Sequence, residues 1–183
     1  MNFLKMFRAR VSLFALLVLI SGCGRSAPST LAIPAVDDFD LERYLGVWHE
    51  VARLPFRFEN DMSDVIARYY RDDSGKIRVE NSGIKNNKRV FAHGVVKFKN
   101  SPRIGELEVS FFRPFYGDYR IIMLDENYRF AVVTADKLDK LWLLAREPFP
   151  DREMVAKIVA ELQKKGFDTS QLIFSQTGAG GKL

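Results

Sequence analysis

The stretch Tyr44–Pro55 reads YLGVWHEVARLP and sets Gly46 two places before Trp48, at the head of a strand-like run. Successive side chains of a strand point to opposite faces, so Trp48, Glu50, Ala52 and Leu54 are expected to share one face. Three of the four are apolar and one is a carboxylate, which predicts a buried face and leaves the placement of Glu50 open. A wide ring at the start of the strand, with a glycine just before it, predicts a converging space that the ring fills. The glycine would let the chain leading into the strand pass close by.

Outward from this stretch the period of two continues to Arg146. Strands are expected over Val47–Leu54, Asp64–Arg71, Lys76–Gly83, Arg89–Lys99, Gly105–Phe112, Asp118–Leu124, Arg129–Ala135 and Lys140–Arg146. The connections, among them DDSG, KNNK, RPFYG and DEN, are short and polar or rich in Gly and Pro. They suit antiparallel neighbours, since a parallel crossover needs a dozen residues or more. Several strands are two-faced: Leu107, Val109 and Phe111 alternate with Glu106, Glu108 and Ser110. A sheet with one apolar face and little helix to cover it buries that face, and loses its edges, by closing on itself.

The fold class expected is therefore all-β, an eight-stranded antiparallel up-and-down β-barrel with one α-helix packed on its outside. The helix lies within Pro150–Phe167, where Met154, Val155, Ile158, Val159 and Leu162 recur at three and four, Asp151 is placed to cap it and Gly166 to stop it. Its stripe is expected to cover outward residues such as Phe91, Val95, Leu141 and Leu143.

Eight strands leave an interior that holds one small ligand. Alternation predicts a lumen lined by Ala67 and Tyr69, Val79 and Asn81, Ala92 and Val96, Val109 and Phe111, Tyr119 and Ile121, and Trp142. Small residues such as Ala67, Ala92 and Gly94 suggest a cavity, or room for an inward ring. Strand parity puts four connections at the open mouth: Pro55–Ser63, Ile84–Lys88, Arg113–Gly117 and Asp136–Asp139. They carry the rings of Phe56, Phe58, Phe115 and Tyr116. Arg57, Lys85, Lys88, Arg113, Lys137 and Lys140 lie in or near them. The ligand expected is amphiphilic, an acyl chain with an anionic head at the mouth; rings folded down as local loop packing and a rim of solvated charges are the other readings.

Residues 1–22 do not belong to the barrel. Lys5, Arg8 and Arg10 precede a ten-residue apolar run, VSLFALLVLI, about half the ~20 residues that span a bilayer as a helix. This is the pattern of a signal peptide. It ends in Ile20, Ser21, Gly22 and the sole cysteine, Cys23, which resembles a bacterial lipobox; a stray cysteine beside an ordinary cleavage site is the other reading. Acylated Cys23 would attach the chain to a membrane, and Gly24, where an aspartate signals inner-membrane retention, points to the outer membrane. Residues 23–37 are expected as a flexible tether, 38–176 as barrel plus helix and 177–183 as a disordered tail.

The whole chain carries 28 basic and 23 acidic residues; without the leader the balance is 25 against 23, near neutral. With no basic stripe interleaved with aromatics, no nucleic-acid partner is expected. The two histidines, His49 and His93, show no catalytic or zinc-ligand spacing, and no phosphate-binding glycine loop occurs. No cofactor and no metal are expected, and no enzyme activity.

The order of Gly46, Val47 and Trp48 in the first strand, Leu124, Asp125 and Tyr128 near the middle, and LWLLAREP with Arg146 closing the eighth strand resembles the lipocalin family. ERYLGVWHEVAR and VSFFRPFYGDYR resemble its bacterial outer-membrane lipoprotein members. The resemblance implies a structural role for Gly46, Trp48, Asp125, Tyr128 and Arg146: Trp48 plugs the closed end, and Arg146 lies across the indole and donates to lead-in carbonyls. It implies a fatty acid or lysophospholipid as ligand, and lipid storage or transport in the envelope. A lipoprotein acting through protein contacts and a lumenal enzyme are the alternatives, and self-association as a homodimer stays open.

Overall fold

The alternating segments form β1 (Gly46–Arg53), β2 (Ser63–Arg71), β3 (Ile77–Lys85), β4 (Lys88–Phe98), β5 (Glu106–Phe112), β6 (Phe115–Leu124), β7 (Phe130–Thr134) and β8 (Leu141–Ala145). A short helix, α1 (Leu41–Tyr44), precedes them; α2 (Arg152–Lys164) and the two-residue strand β9 (Ile173–Phe174) follow. The computed structural model describes residues 29, 30, 32–56 and 61–175. The leader, Cys23, Arg57, Phe58 and the tail from residue 177 lie outside the described residues. Each strand pairs antiparallel with the next, and β1 closes the barrel by pairing with both β2 and β8.

The seams do not close along their whole length. β1 meets β2 only through Gly46–His49, and nearer the mouth β9 takes that edge, pairing with Ala52 and Arg53. β4 meets β5 only through Val95–Phe98, although β4 runs back to Lys88. The barrel is therefore a funnel, tight at the end where β1 begins and splayed at the other.

A bulge answers the question of Glu50. β1 shifts register against β8 between Glu50 and Ala52, and one extra residue reverses which side chains face in. Glu50 stays inward with Trp48. Val51, Ala52 and Leu54 turn to the outer cluster under α2, and Arg53 comes inward to meet Glu50. The expected common face of Trp48, Ala52 and Leu54 thus breaks at the bulge.

Helix α2 is capped by Asp151, whose carboxylate accepts from the Met154 amide. Its Val155, Ile158 and Leu162 pack on Val51, Ala52, Val132, Leu141 and Leu143. Leu141 and Leu143 lie beneath it as expected. Phe91 and Val95 do not, because the chain returns over β7, β8 and β1, and Phe91 is left exposed near the mouth.

The lead-in differs from a free tether. The Thr30 amide donates to the Asp136 carbonyl, Val36 exchanges backbone hydrogen bonds with Ile121 and Gly105, and the Phe39 amide donates to Arg103. Beneath the strap Arg120, 4% exposed, donates to the Thr30 and Ile33 carbonyls at 2.7 and 2.8 Å. The segment has no periodicity of its own because its partners lie on the barrel.

Candidate functional site

The three motif positions meet at the closed end. Trp48 is fully buried, stacks on Tyr44 at 4.9 Å between ring centroids and donates its indole N–H to the Tyr44 carbonyl at 2.8 Å. The Arg146 guanidinium lies 3.9 Å above the indole, a cation–π contact. It also donates to the carbonyls of Val47, Arg43, Tyr44 and Tyr128. Gly46 has φ +100°, and a Cβ there would come within 3.2 Å of Arg146 Nη1. Glycine is needed both for the left-handed backbone and for the guanidinium.

Asp125 and Tyr128 build the turn beside them. Hydrogen bonds from the Arg129 side chain, and from the Arg129 and Asn127 amides, hold the Asp125 carboxyl down at about 2. Tyr128 takes φ +58° and its hydroxyl accepts from the Asp40 amide, the cap of α1. These residues fix the floor of the barrel.

Above the floor, Tyr44, Tyr69 and Tyr119 join through their hydroxyls at 2.6 and 2.8 Å, with Tyr119 at the centre. Burial pushes the Tyr44 and Tyr119 phenols well above their usual range, so both are neutral at physiological pH. The cluster can donate or accept a hydrogen bond and carries no charge.

A cavity of about 510 Å³ opens above the tyrosines toward the mouth, within the size range of small-molecule sites. Ala67, Tyr69, Val79, Asn81, Val109, Phe111, Tyr119 and Trp142 line it, as alternation predicts. Three predicted residues do not. Val96 and Ile121 face inward but sit lower, in the packed cluster around Trp48. Ala92 pairs with Asn81 across β3 and β4 yet is exposed, because β5 has left β4 at that height.

Glu50, Phe56, Val65, Ala135, Lys140 and Leu144 also line the cavity, beyond the residues expected above. Val65 and Leu144 follow strand parity; Phe56, packed edge-on against Trp142 at 5.8 Å, comes from a loop that periodicity does not describe. Gly94 explains one small residue on the wall: a Cβ there would lie 2.8 Å from Val79 and 3.0 Å from Phe111, whose ring leans over it.

The polar groups of the wall are few and placed at different heights. Glu50 and Arg53 form an ion pair at 2.5 Å with side chains 1% and 4% exposed. The buried Asn81 Oδ1 accepts no hydrogen bond from the described residues. Lys140 and Asp136, 3.3 Å apart, mark the rim. Neither histidine lines the cavity: burial lowers the pKa of His49, on the outward side of β1, and His93 is exposed, 3.5 Å from Glu80. The chamber is thus mainly apolar, with tyrosines at its floor and Glu50, Asp118, Asp136 and Lys140 as the charged residues of its lining, and suits a ligand with few polar atoms.

Comparison with known proteins agrees with this geometry. The lipocalin-like domain family matches residues 39–177. Outer membrane lipoprotein Blc of Vibrio cholerae is 41% identical over 162 residues, covering 87% of this chain and 93% of that protein. Outer membrane lipoprotein Blc of Escherichia coli is 37% identical over 160 residues, covering 86% and 90%. Insecticyanin from the tobacco hornworm Manduca sexta superposes with a TM-score of 0.64 at 21% identity, covering 82% of this chain and 85% of that one.

Proposed function

The chain belongs to the lipocalin-like family, and from that membership we propose that it is a lipid-binding lipoprotein of the outer membrane. It holds one fatty acid or lysophospholipid in the lumen for storage or transport within the envelope. The observation that carries this reading is the cavity of about 510 Å³, walled by Val79, Val109 and Trp142 and floored by neutral tyrosines. The relatives' shared name, outer membrane lipoprotein, supports the location. The lipobox-like Ile20–Cys23 supports an acylated anchor at Cys23. On this reading the chain acts by binding: Glu50 is paired with Arg53, and the lumenal phenols of Tyr44, Tyr69 and Tyr119 hydrogen-bond to one another.

The acyl chain runs down the apolar wall and the head remains at the rim beside Lys140 and Asp136. Each buried methylene is worth about 0.8 kcal/mol, so shortening the acyl chain by two methylenes should weaken binding on the order of tenfold. Calorimetric titration of delipidated protein with a series of lysophospholipids and fatty acids tests this. Saturable one-site binding, graded by chain length and lost in Val109→Trp with the fold retained, is the expected result. Affinity indifferent to chain length, or unchanged in Val109→Trp, excludes the lumen as the lipid site.

A further inference from the structure

The lead-in fixes which end of the barrel can approach a membrane. Ser29 bridges to Lys137, and the buried Thr30 donates its hydroxyl to the Ala135 carbonyl, so the strap begins on the β7–β8 loop at the open mouth. Cys23 lies six residues before Ser29, at most about 20 Å of extended chain. An acyl group on Cys23 must therefore enter the bilayer close to the mouth.

The same end exposes an aromatic rim. On the β5–β6 hairpin Phe112 is 82% and Phe115 74% exposed; on the β3–β4 hairpin Phe91 is 58% exposed. Lys85, Lys88, Arg89 and Arg113 stand among these rings. No acidic residue occurs from Ile84 to Phe91 or from Ser110 to Gly117. The acids of the mouth connections belong to the other two, Glu59 and Asp61 to one and Asp136 and Asp139 to the other, with Asp64 at the start of β2. Exposed rings gathered at one end of a barrel mark an interaction surface. Rings with cations and without acids match the headgroup boundary of an anionic leaflet, where aromatics embed and cations meet phosphates.

We propose that the β3–β4 and β5–β6 hairpins form a membrane-docking rim that seats the barrel mouth-down on an anionic phospholipid surface. The occupant is the leaflet in which the Cys23 anchor lies, and the inference rests on the acylation proposed above. The gap between β4 and β5, flanked by Phe91 and Phe111, then faces the lipid, which gives an acyl chain a path into the cavity shielded from water.

Acylated full-length protein in vesicles of phosphatidylethanolamine and phosphatidylglycerol with brominated chains tests the proposal by tryptophan quenching. Phe115→Trp places a reporter in the rim, Phe112→Trp repeats it on the neighbouring ring, and Val47→Trp places one at an exposed site on the closed end. The unsubstituted chain supplies the background of Trp48 and Trp142. Docking predicts loss of most of the added emission in both rim reporters and none in Val47→Trp, with the loss reduced by Lys88→Glu and Arg113→Glu. Protein that floats with the vesicles while the rim reporters stay unquenched overturns docking and leaves the anchor intact. Rim emission that is blue-shifted but unquenched, with a dimer trapped by crosslinking, assigns the rim to a second copy and also overturns it. Protein that does not float refutes the anchor and the docking together.

Discussion

Replacing Trp48 by alanine is expected to lower the unfolding free energy by about 3–5 kcal/mol, the usual cost of truncating a buried aromatic. Folded domains hold only about 5–15 kcal/mol in total, so Trp48→Ala should leave a marginal protein. The loss has three sources. The indole is fully buried within the lower cluster, its N–H satisfies the Tyr44 carbonyl, and its face carries the Arg146 guanidinium. Arg146 would keep its carbonyl partners, which prevents a complete collapse of the floor. Urea unfolding followed by circular dichroism measures the effect. A loss below about 1 kcal/mol would mean that the indole is not the plug of the closed end.

Replacing Glu50 by alanine should cost about 3–5 kcal/mol by a different route, since it removes the carboxylate that lies 2.5 Å from a buried guanidinium. Both side chains lie almost wholly out of water, at 1% and 4% exposure. The double variant Glu50→Leu with Arg53→Met should recover most of that loss. Replacing both partners of a buried pair by apolar groups ranges from neutral to stabilising by about 1–4 kcal/mol. Unfolding curves for Glu50→Leu, Arg53→Met and the double variant measure the coupling directly. Additive losses in the double variant would show that the two residues act independently, against the 2.5 Å contact.

The strands and their order are legible in the chain because alternation reports the face of every residue in a half-buried strand. Val79, Val109, Tyr119 and Trp142 reach the cavity on that ground alone. Alternation does not report depth. Val96 and Ile121 point inward like their neighbours and end in packed core, because the level at which core gives way to cavity depends on side chains meeting from across the barrel. It does not report a bulge either. One extra residue after Glu50 turns Ala52 outward and Arg53 inward, and no local propensity marks it. The departure of β5 from β4, which leaves Ala92 exposed, and the hydroxyl cluster of Tyr44, Tyr69 and Tyr119 are likewise long-range results. The strap from Ser29 onward looks like linker because its hydrogen bonds go to Ala135, Ile121 and Arg103, far away in sequence.

Lumenal binding of lipid is tested most directly by photoaffinity mapping. A fatty acid with a diazirine at its methyl end is bound to the protein, irradiated, and the adducts located by peptide sequencing. The expected adducts fall on Val79, Val109, Tyr119 and Trp142, deep in the cavity, and are displaced by unlabelled lysophospholipid. Adducts confined to the exposed rings of Phe112 and Phe115, undiminished by competitor, would contradict a lipid held inside the barrel.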